Sequence, residues 1–326
     1  MSRYVAVAVP VPFLQALTYR VPEGMSQPVL GSRIRVPLGR RTVTGCVIGT
    51  KDIGRQRSDE EIRDVTECID SEAFLPLAIL KLALWVSDYY VCGPGDTIAA
   101  AMPPLTFSSG REATTFKTVD VFTVTSRGRD SLKDDSGTFL GRRQRDVLMR
   151  LVTAEYGIER SAFTRLGVSA NTLKRLERRG FLSSSTRRLD RNPFIEVSSS
   201  LVAAGNTSEP LRLTQGQQEA MDFLAPLVRA SEFHVALLRG VTGSGKTEAY
   251  LRLTEETFTS GKRVLILVPE IALTRTLALI FHRKFGERVA IQHSGLSEGE
   301  RHDQWHRIRR GDIDVVVGTR SAVFAP

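Results

Sequence analysis

Residues 240–247, GVTGSGKT, restrict the fold of this 326-residue chain more than any other stretch. They match G-x-x-x-x-G-K-[ST], and they lie between an apolar run, VALLR, and a helical run, TEAYLRLTEET. Gly243 and Gly245 let a backbone wrap around phosphates, and successive N–H groups at a helix start supply positive potential. Lys246 is placed to reach the β- and γ-phosphates, and the Thr247 hydroxyl to hold Mg²⁺, which makes these two the candidate catalytic pair. Gly240, Val241, Thr242, Gly243, Ser244, Gly245, Lys246 and Thr247 together form the candidate nucleoside triphosphate site. A chance glycine-rich loop is the bland alternative; the strand–loop–helix setting favours the site.

The loop demands a parallel sheet, and the surrounding sequence agrees. VALLRG, RVLILVP, RVAIQH and DIDVVVGT alternate with helical runs after residue 210, as in a sheet covered on both faces. Residues 211–326 are therefore expected to form an incomplete P-loop lobe. Residues 198–210, small and polar, read as a linker. Residues 1–106 open with short alternating runs, YVAVAV, LTYRV, RIRVPL and TVTGCVIGT, which predict a small β-rich domain. In PLAILKLALWVSDYY, Leu77, Leu80 and Leu84 share one helical face, and Pro94 and Gly95 are expected to stop that helix. Residues 107–197 predict three short helices, capped by Ser169 or Asn171 and stopped by Gly167 and Gly180, then a strand pair in FLSSSTRRLDRNPFIEV. This order suits a winged helix, whose recognition helix would present Lys174, Arg175, Arg178 and Arg179; a helical bundle with a solvated Arg face fits equally. The fold class expected is multi-domain α/β.

The net charge of +9 favours a polyanionic partner. Residues 141–190 hold twelve Lys or Arg against five Asp or Glu, so most of the surplus sits in the winged-helix candidate. Cys46, Cys68 and Cys92 form no CxxC pair, so neither a structural zinc site nor a disulfide framework is indicated, and reduced thiols are the simplest account. Pro10 and Pro12 break the apolar opening, arguing against a signal peptide, and Lys81 interrupts the best apolar run. A cytoplasmic protein with no membrane partner is expected.

Other motifs are weaker. Gln217, in LTQGQQEAM, could read an adenine edge; a polar helix start capped by Thr214 is an equal reading. In LVPEIALT, Pro269 stands where a metal-binding Asp would, so Glu270 is not assigned to Mg²⁺. Thr274 and its helix start are candidate contacts to DNA phosphates, as are Thr319 and Arg320 in GTRSA, although a strand-end turn explains the latter as well. His302 and His306 in HDQWH miss the zinc-protease pattern, with Asp303 in place of the Glu, and read as a surface pair on an exposed helix.

LLRGVTGSGKTEAYL, LVPEIALT, HSGLSEGER followed by Trp305, and VVVGTRSAVFAP together resemble the primosomal protein N′ (PriA) family, replication restart helicases of superfamily 2. VAVPVPFLQALTYRVPEG, RIRVPLGRR and LWVSDYYVCGPGD are similar to that family's 3′-DNA-end-binding domain. The resemblance covers nearly the whole chain, most weakly between residues 110 and 210. It implies an ATP- and Mg²⁺-dependent 3′→5′ DNA helicase that recognises stalled or branched forks and promotes primosome assembly. Implied partners are branched and single-stranded DNA, primosome proteins and single-stranded-DNA-binding protein. Carried over by position, Gly39 and Arg63 line the 3′-end pocket, with Thr18 where the family often has Asp. The family's acidic Mg²⁺ motif, zinc region and second lobe are expected beyond Pro326, so the sequence reads as a truncation or fragment. Alone, it is expected to bind DNA and nucleotide but not to unwind. Two rivals remain: a non-hydrolysing fork-binding module with a vestigial P-loop, and a P-loop kinase, which would leave the basic region unexplained.

Overall fold

The computed structural model describes residues 3–12, 14–51, 62–104, 106–107, 116–133, 140–154, 156–191, 193–194, 212–230 and 232–326. The expected linker at 198–210 lies outside them. The described residues form two compact units: residues 1–115 with 192–326, and residues 116–191.

In the larger unit, β1 (Arg3–Ala8), β2 (Leu17–Val21), β3 (Arg33–Leu38), β4 (Arg41–Lys51) and β5 (Glu67–Cys68) form one sheet in the order β2-β1-β4-β3-β5, all pairs antiparallel. A register shift at Ala6/Val7 bends β1 against β4. Val5, Val7, Tyr19, Val21, Ile34, Val36 and Val47 pack as its core. Helix α1 (Leu77–Tyr90) ends on Val91 in the left-handed region at φ 53°. The helix ends after Tyr90, ahead of Pro94 as expected, and Pro94 also occupies the first turn of the next helix, α2 (Pro94–Ala101), where its missing N–H costs nothing. Gly95 backs onto the Val9 carbonyl with no room for a Cβ, which seats α2 on the sheet.

The smaller unit builds a sheet from β6 (Lys117–Val124), β7 (Ile158–Glu159) and β8 (Leu182–Leu189), in the antiparallel order β7-β6-β8. Helices α3 (Ser126–Lys133), α4 (Arg142–Thr153), α5 (Arg160–Arg165) and α6 (Ala170–Arg178) accompany it, around Phe122, Leu148, Leu151, Phe163 and Leu176. Ser169 caps α6 by accepting the Thr172 N–H, and Gly167 and Gly180 take positive φ. The first strand of the expected pair, β8, pairs with β6, some sixty residues earlier, along eight positions; most of the second lies outside the described residues. Phe194, beyond β8, instead stacks on His282 in the larger unit at 4.1 Å.

The remainder of the larger unit contains α7 (Gln215–Arg229), α8 (Lys246–Thr259), β9 (Val264–Leu267), α9 (Ile271–Phe285), β10 (Val289–Gln292), α10 (Glu298–Arg310) and β11 (Val315–Gly318), then a short 3₁₀ turn, Arg320–Phe324. The strands are parallel in the order β10-β11-β9. VALLR is not one of them. Phe233, Val235 and Leu237 are 92%, 85% and 91% exposed, and no ladder partner exists for this segment among the described residues. An apolar run without a neighbouring strand satisfies no backbone hydrogen bonds, so periodicity alone does not make it a strand. The outer edge of β9 is correspondingly open, with Leu265 and Leu267 half-exposed.

α10 joins both halves of this unit. Trp305 lies in the same core as Phe74, Leu80, Ile98 and Met102, and its Nε1–H donates to the Ala101 carbonyl at 3.0 Å. Phe74 stacks on Trp305 at 5.0 Å, and Arg309 donates to the Ala73 carbonyl. No described helix is long and apolar enough to cross a membrane.

Candidate nucleotide and nucleic-acid sites

The loop at 240–247 leads into α8 as its spacing requires. Gly243 and Gly245 adopt φ of 80° and 79°, a region that L side chains rarely enter, and Gly245 caps α8 without any side-chain bond. No side chain therefore caps the start of α8. Ser244 closes a turn by donating its N–H to the Val241 carbonyl. The Lys246 ammonium donates to the carbonyls of Gly240 and Val241, at 2.7 and 2.8 Å. It spans the loop where a phosphate would sit, so nucleotide entry would exchange two carbonyls for phosphate oxygens. Thr247 faces an apolar cleft of about 550 Å³ between α8 and β9. The donor set fits a polyphosphate: amides, one ammonium and one hydroxyl.

Gln217 is engaged at both ends. Its Oε1 accepts the Thr214 N–H while Thr214 Oγ1 accepts the Gln217 N–H, a capping box that starts α7. Its Nε2 donates to the carbonyls of Ser244 and Gly245. The structure shows the helix-start reading of this residue, and in addition ties it to the loop at 240–247.

Thr18, Gly39 and Arg63, far apart in sequence, meet at one end of the β-rich sheet. They line a cleft of about 360 Å³ with Tyr19, Leu38 and Ile62. β2 and β3 supply two walls, and Arg63 Nη1 donates to the Gly39 carbonyl at 2.7 Å. A parallel bridge between Arg20 and Asp64, with their side-chain ion pair at 2.6 Å, fixes the segment that carries Arg63. Tyr19 OH donates to the Pro37 carbonyl, and burial raises its pKa against the opposing effect of Arg63, so the phenol stays protonated. At the other end of the β3–β4 ladder, burial pushes the Cys46 thiol up to about 12, with Asp70 adding to the shift and Arg33 opposing it. Such a thiol is inert.

On α6, Lys174, Arg175 and Arg178 are exposed, while Leu173 and Leu176 are buried. Arg179 is half-buried and lies over the Phe181 ring at 4.8 Å. The helix therefore turns a strongly basic face to solvent.

Two expectations are corrected. Thr274 is fully buried, and its hydroxyl donates to the Glu270 carbonyl one turn back, so it offers nothing to a phosphate. His302 and His306 are not a surface pair. α10 is a core helix: His302, Asp303, Gln304 and Trp305 are all buried, with His302 Nδ1 3.2 Å from Asp303 Oδ1. A helix that is polar in sequence is buried here because it is sandwiched between the sheet and α2. No group of metal-ligating side chains occurs among the described residues. Thr319 is half-buried, donating its N–H to the Gln292 carbonyl, and Arg320 is exposed beside it. In HSGLSEGER, His293 is buried and Arg301 half-buried, one on either side of the cap of α10.

Residues 6–103 match the family model for a 3′ DNA-binding domain, and residues 214–325 match that for DEAD/DEAH box helicases. Across 329 residues the chain is 30% identical to the replication restart protein PriA of Chlamydia muridarum, covering 99% of this chain and 42% of that one. The Haemophilus influenzae PriA is 31% identical over 332 residues, covering 98% and 42%. A shorter match to the Bacillus subtilis PriA reaches 38% over 187 residues, or 56% of this chain and 22% of that one. The chain thus spans about two-fifths of the length of the relatives it matches end to end.

Proposed function

The chain belongs to the family of replication restart protein PriA, and from that premise we propose that it holds the fork-recognising and ATP-binding portion of a 3′→5′ DNA helicase that promotes primosome assembly at stalled or branched forks. The supporting observation is a conjunction within one compact unit. The Thr18–Gly39–Arg63 cleft and the glycine loop occur on two halves welded together by Trp305.

In this reading the cleft takes the 3′ end of a DNA strand. The Thr18 hydroxyl and the Arg63 guanidinium supply polar contacts, and Leu38 and Ile62 an apolar floor for the terminal base. The smaller unit is a winged helix, with α6 as its recognition helix and β6–β8 as its wing. Lys174, Arg175, Arg178 and Arg179 meet the duplex backbone. In the lobe, the amides of residues 240–247 and Lys246 bind the ATP phosphates, and Thr247 binds Mg²⁺. Bound Mg²⁺ would neutralise charge on the transferring phosphoryl group. Thr319 and Arg320 grip single-stranded DNA. The protein works in the cytoplasm on branched and single-stranded DNA, with primosome proteins and single-stranded-DNA-binding protein as partners.

The test is a DNA titration by fluorescence anisotropy with a 3′-hydroxyl strand and the same strand ending in a 3′-phosphate. The hydroxyl end should bind about tenfold tighter, and Arg63→Ala should remove most of that preference. Equal binding of both ends would reject 3′-end recognition.

A further inference from the structure

In the smaller unit, α4 and the turn between α5 and α6 enclose an open cleft of about 350 Å³. α4 contributes Arg143, Asp146 and Arg150, which share one stripe of the helix because they recur at three- and four-residue intervals. The facing wall carries Leu166, Val168 and Thr172. Leu166 is 49% exposed and Val168 half-buried, so an apolar wall confronts a charged one. The three charged side chains are exposed, and none of them forms an ion pair or hydrogen bond among the described residues. Their spacing permits helical ion pairs, yet both guanidiniums and the carboxylate are left for a ligand.

The cleft is turned away from the basic face of α6. At ~100° per residue, Thr172 stands ~160° round that helix from Lys174 and ~120° from Arg178. A nucleic-acid strand also fits it poorly. Its charge repeats at every nucleotide, so a strand spanning both guanidiniums brings phosphates against Asp146 and against the apolar wall. A peptide sets its charge residue by residue. Arg143 and Arg150 are two helical turns apart, roughly 10 Å along the axis. In an extended peptide, residues i, i+2 and i+4 share one face, and the outer two are about 13 Å apart. The long side chains of Arg and Glu close that difference. An acidic residue at each end and an apolar one between them therefore match the cleft in charge and in spacing, and its volume suits one apolar side chain with its flanks.

We propose that this cleft docks a short, extended acidic segment of a partner protein, with carboxylates on Arg143 and Arg150 and an apolar side chain against Leu166 and Val168. Asp146 accepts a backbone N–H of the segment between the two ion pairs. The cleft lies wholly within the smaller unit and leaves Lys174 and Arg178 free for duplex, so this docking goes beyond the helicase reading and is independent of it.

The test is fluorescence anisotropy of the full chain with a labelled synthetic peptide, Gly-Ser-Glu-Ser-Leu-Ser-Glu-Ser-Gly. Wild type should bind it saturably, and more weakly as salt rises. An Arg143→Ala, Arg150→Ala double variant and a Leu166→Ser variant should each bind about tenfold more weakly or worse. A peptide with Lys in place of both Glu should not bind. All three substituted positions are exposed, and circular dichroism checks that the variants keep the wild-type fold. No saturable binding by wild type at millimolar peptide, or equal binding by the double variant, rejects the docking site. If the peptide fails while the double variant loses tenfold in duplex affinity, the cleft is a nucleic-acid contact and the acidic partner is rejected as well.

Discussion

At the scale of single residues, this chain places polar groups where burial changes their chemistry. His293 is the clearest case. Burial, followed by Arg275 and Arg301, lowers its pKa below 6.5, against the pull of Glu300. A histidine held neutral in the folded state contributes stability that is present above its unfolded pKa and is lost as pH falls towards the folded value. The melting temperature should therefore drop between pH 7 and 5, and His293→Gln should make that slope shallower. A slope unchanged by the substitution would show that other groups govern the acid limb. The glycine turn at 240–247 was legible at this scale because its residue types are dictated by backbone conformation: positive φ at 243 and 245 demands glycine. Thr274 was misread for the opposite reason. A threonine in the first turn of a helix can face outward or bond the preceding turn, and only packing decides.

At the scale of elements, local signals predicted what local forces determine. α4, α5 and α6 and the Ser169 cap emerge from hydrophobic spacing and capping residues. The β6–β8 pairing did not, because a strand's partner is fixed by tertiary contact rather than by its own sequence. Likewise Pro94 carries the same signature whether it ends one helix or begins the next. The basic face of α6 gives an element-scale prediction. A Lys174→Ala, Arg178→Ala double variant should weaken duplex binding at all sequences. It should also reduce the slope of log affinity against log salt by about 1–2, the signature of one or two lost phosphate contacts. Salt titrations with two unrelated duplexes measure this; an unchanged slope would place the duplex elsewhere.

Across the whole molecule, the organisation is set by α10. Its composition is polar, yet Trp305 fills the core of the β-rich half while Ile308 joins that of the lobe. Arg33 is clamped by Asp70 in two hydrogen bonds of 2.8 and 2.9 Å and lies over Phe74, which in turn stacks on Trp305. Trp305→Ala should therefore cost about 3–5 kcal/mol, since it leaves a large void and an unpaired Ala101 carbonyl. Calorimetric melting should then resolve two transitions where wild type shows the halves melting together. One sharp transition at an unchanged temperature would refute the weld. The sequence disclosed the two halves but not their union, because a helix buried on several sides by polar and aromatic residues has no periodic stripe.

The account stands most directly on the phosphate loop, and isothermal calorimetry of ATP with Mg²⁺ into the folded chain tests it. Wild type should give a saturable one-site isotherm, and Lys246→Ala should weaken it by roughly two orders of magnitude while leaving single-strand DNA affinity within about twofold. No saturable heat with wild type, or equal binding by the Lys246 variant, would contradict the assignment of residues 240–247 as a nucleotide site.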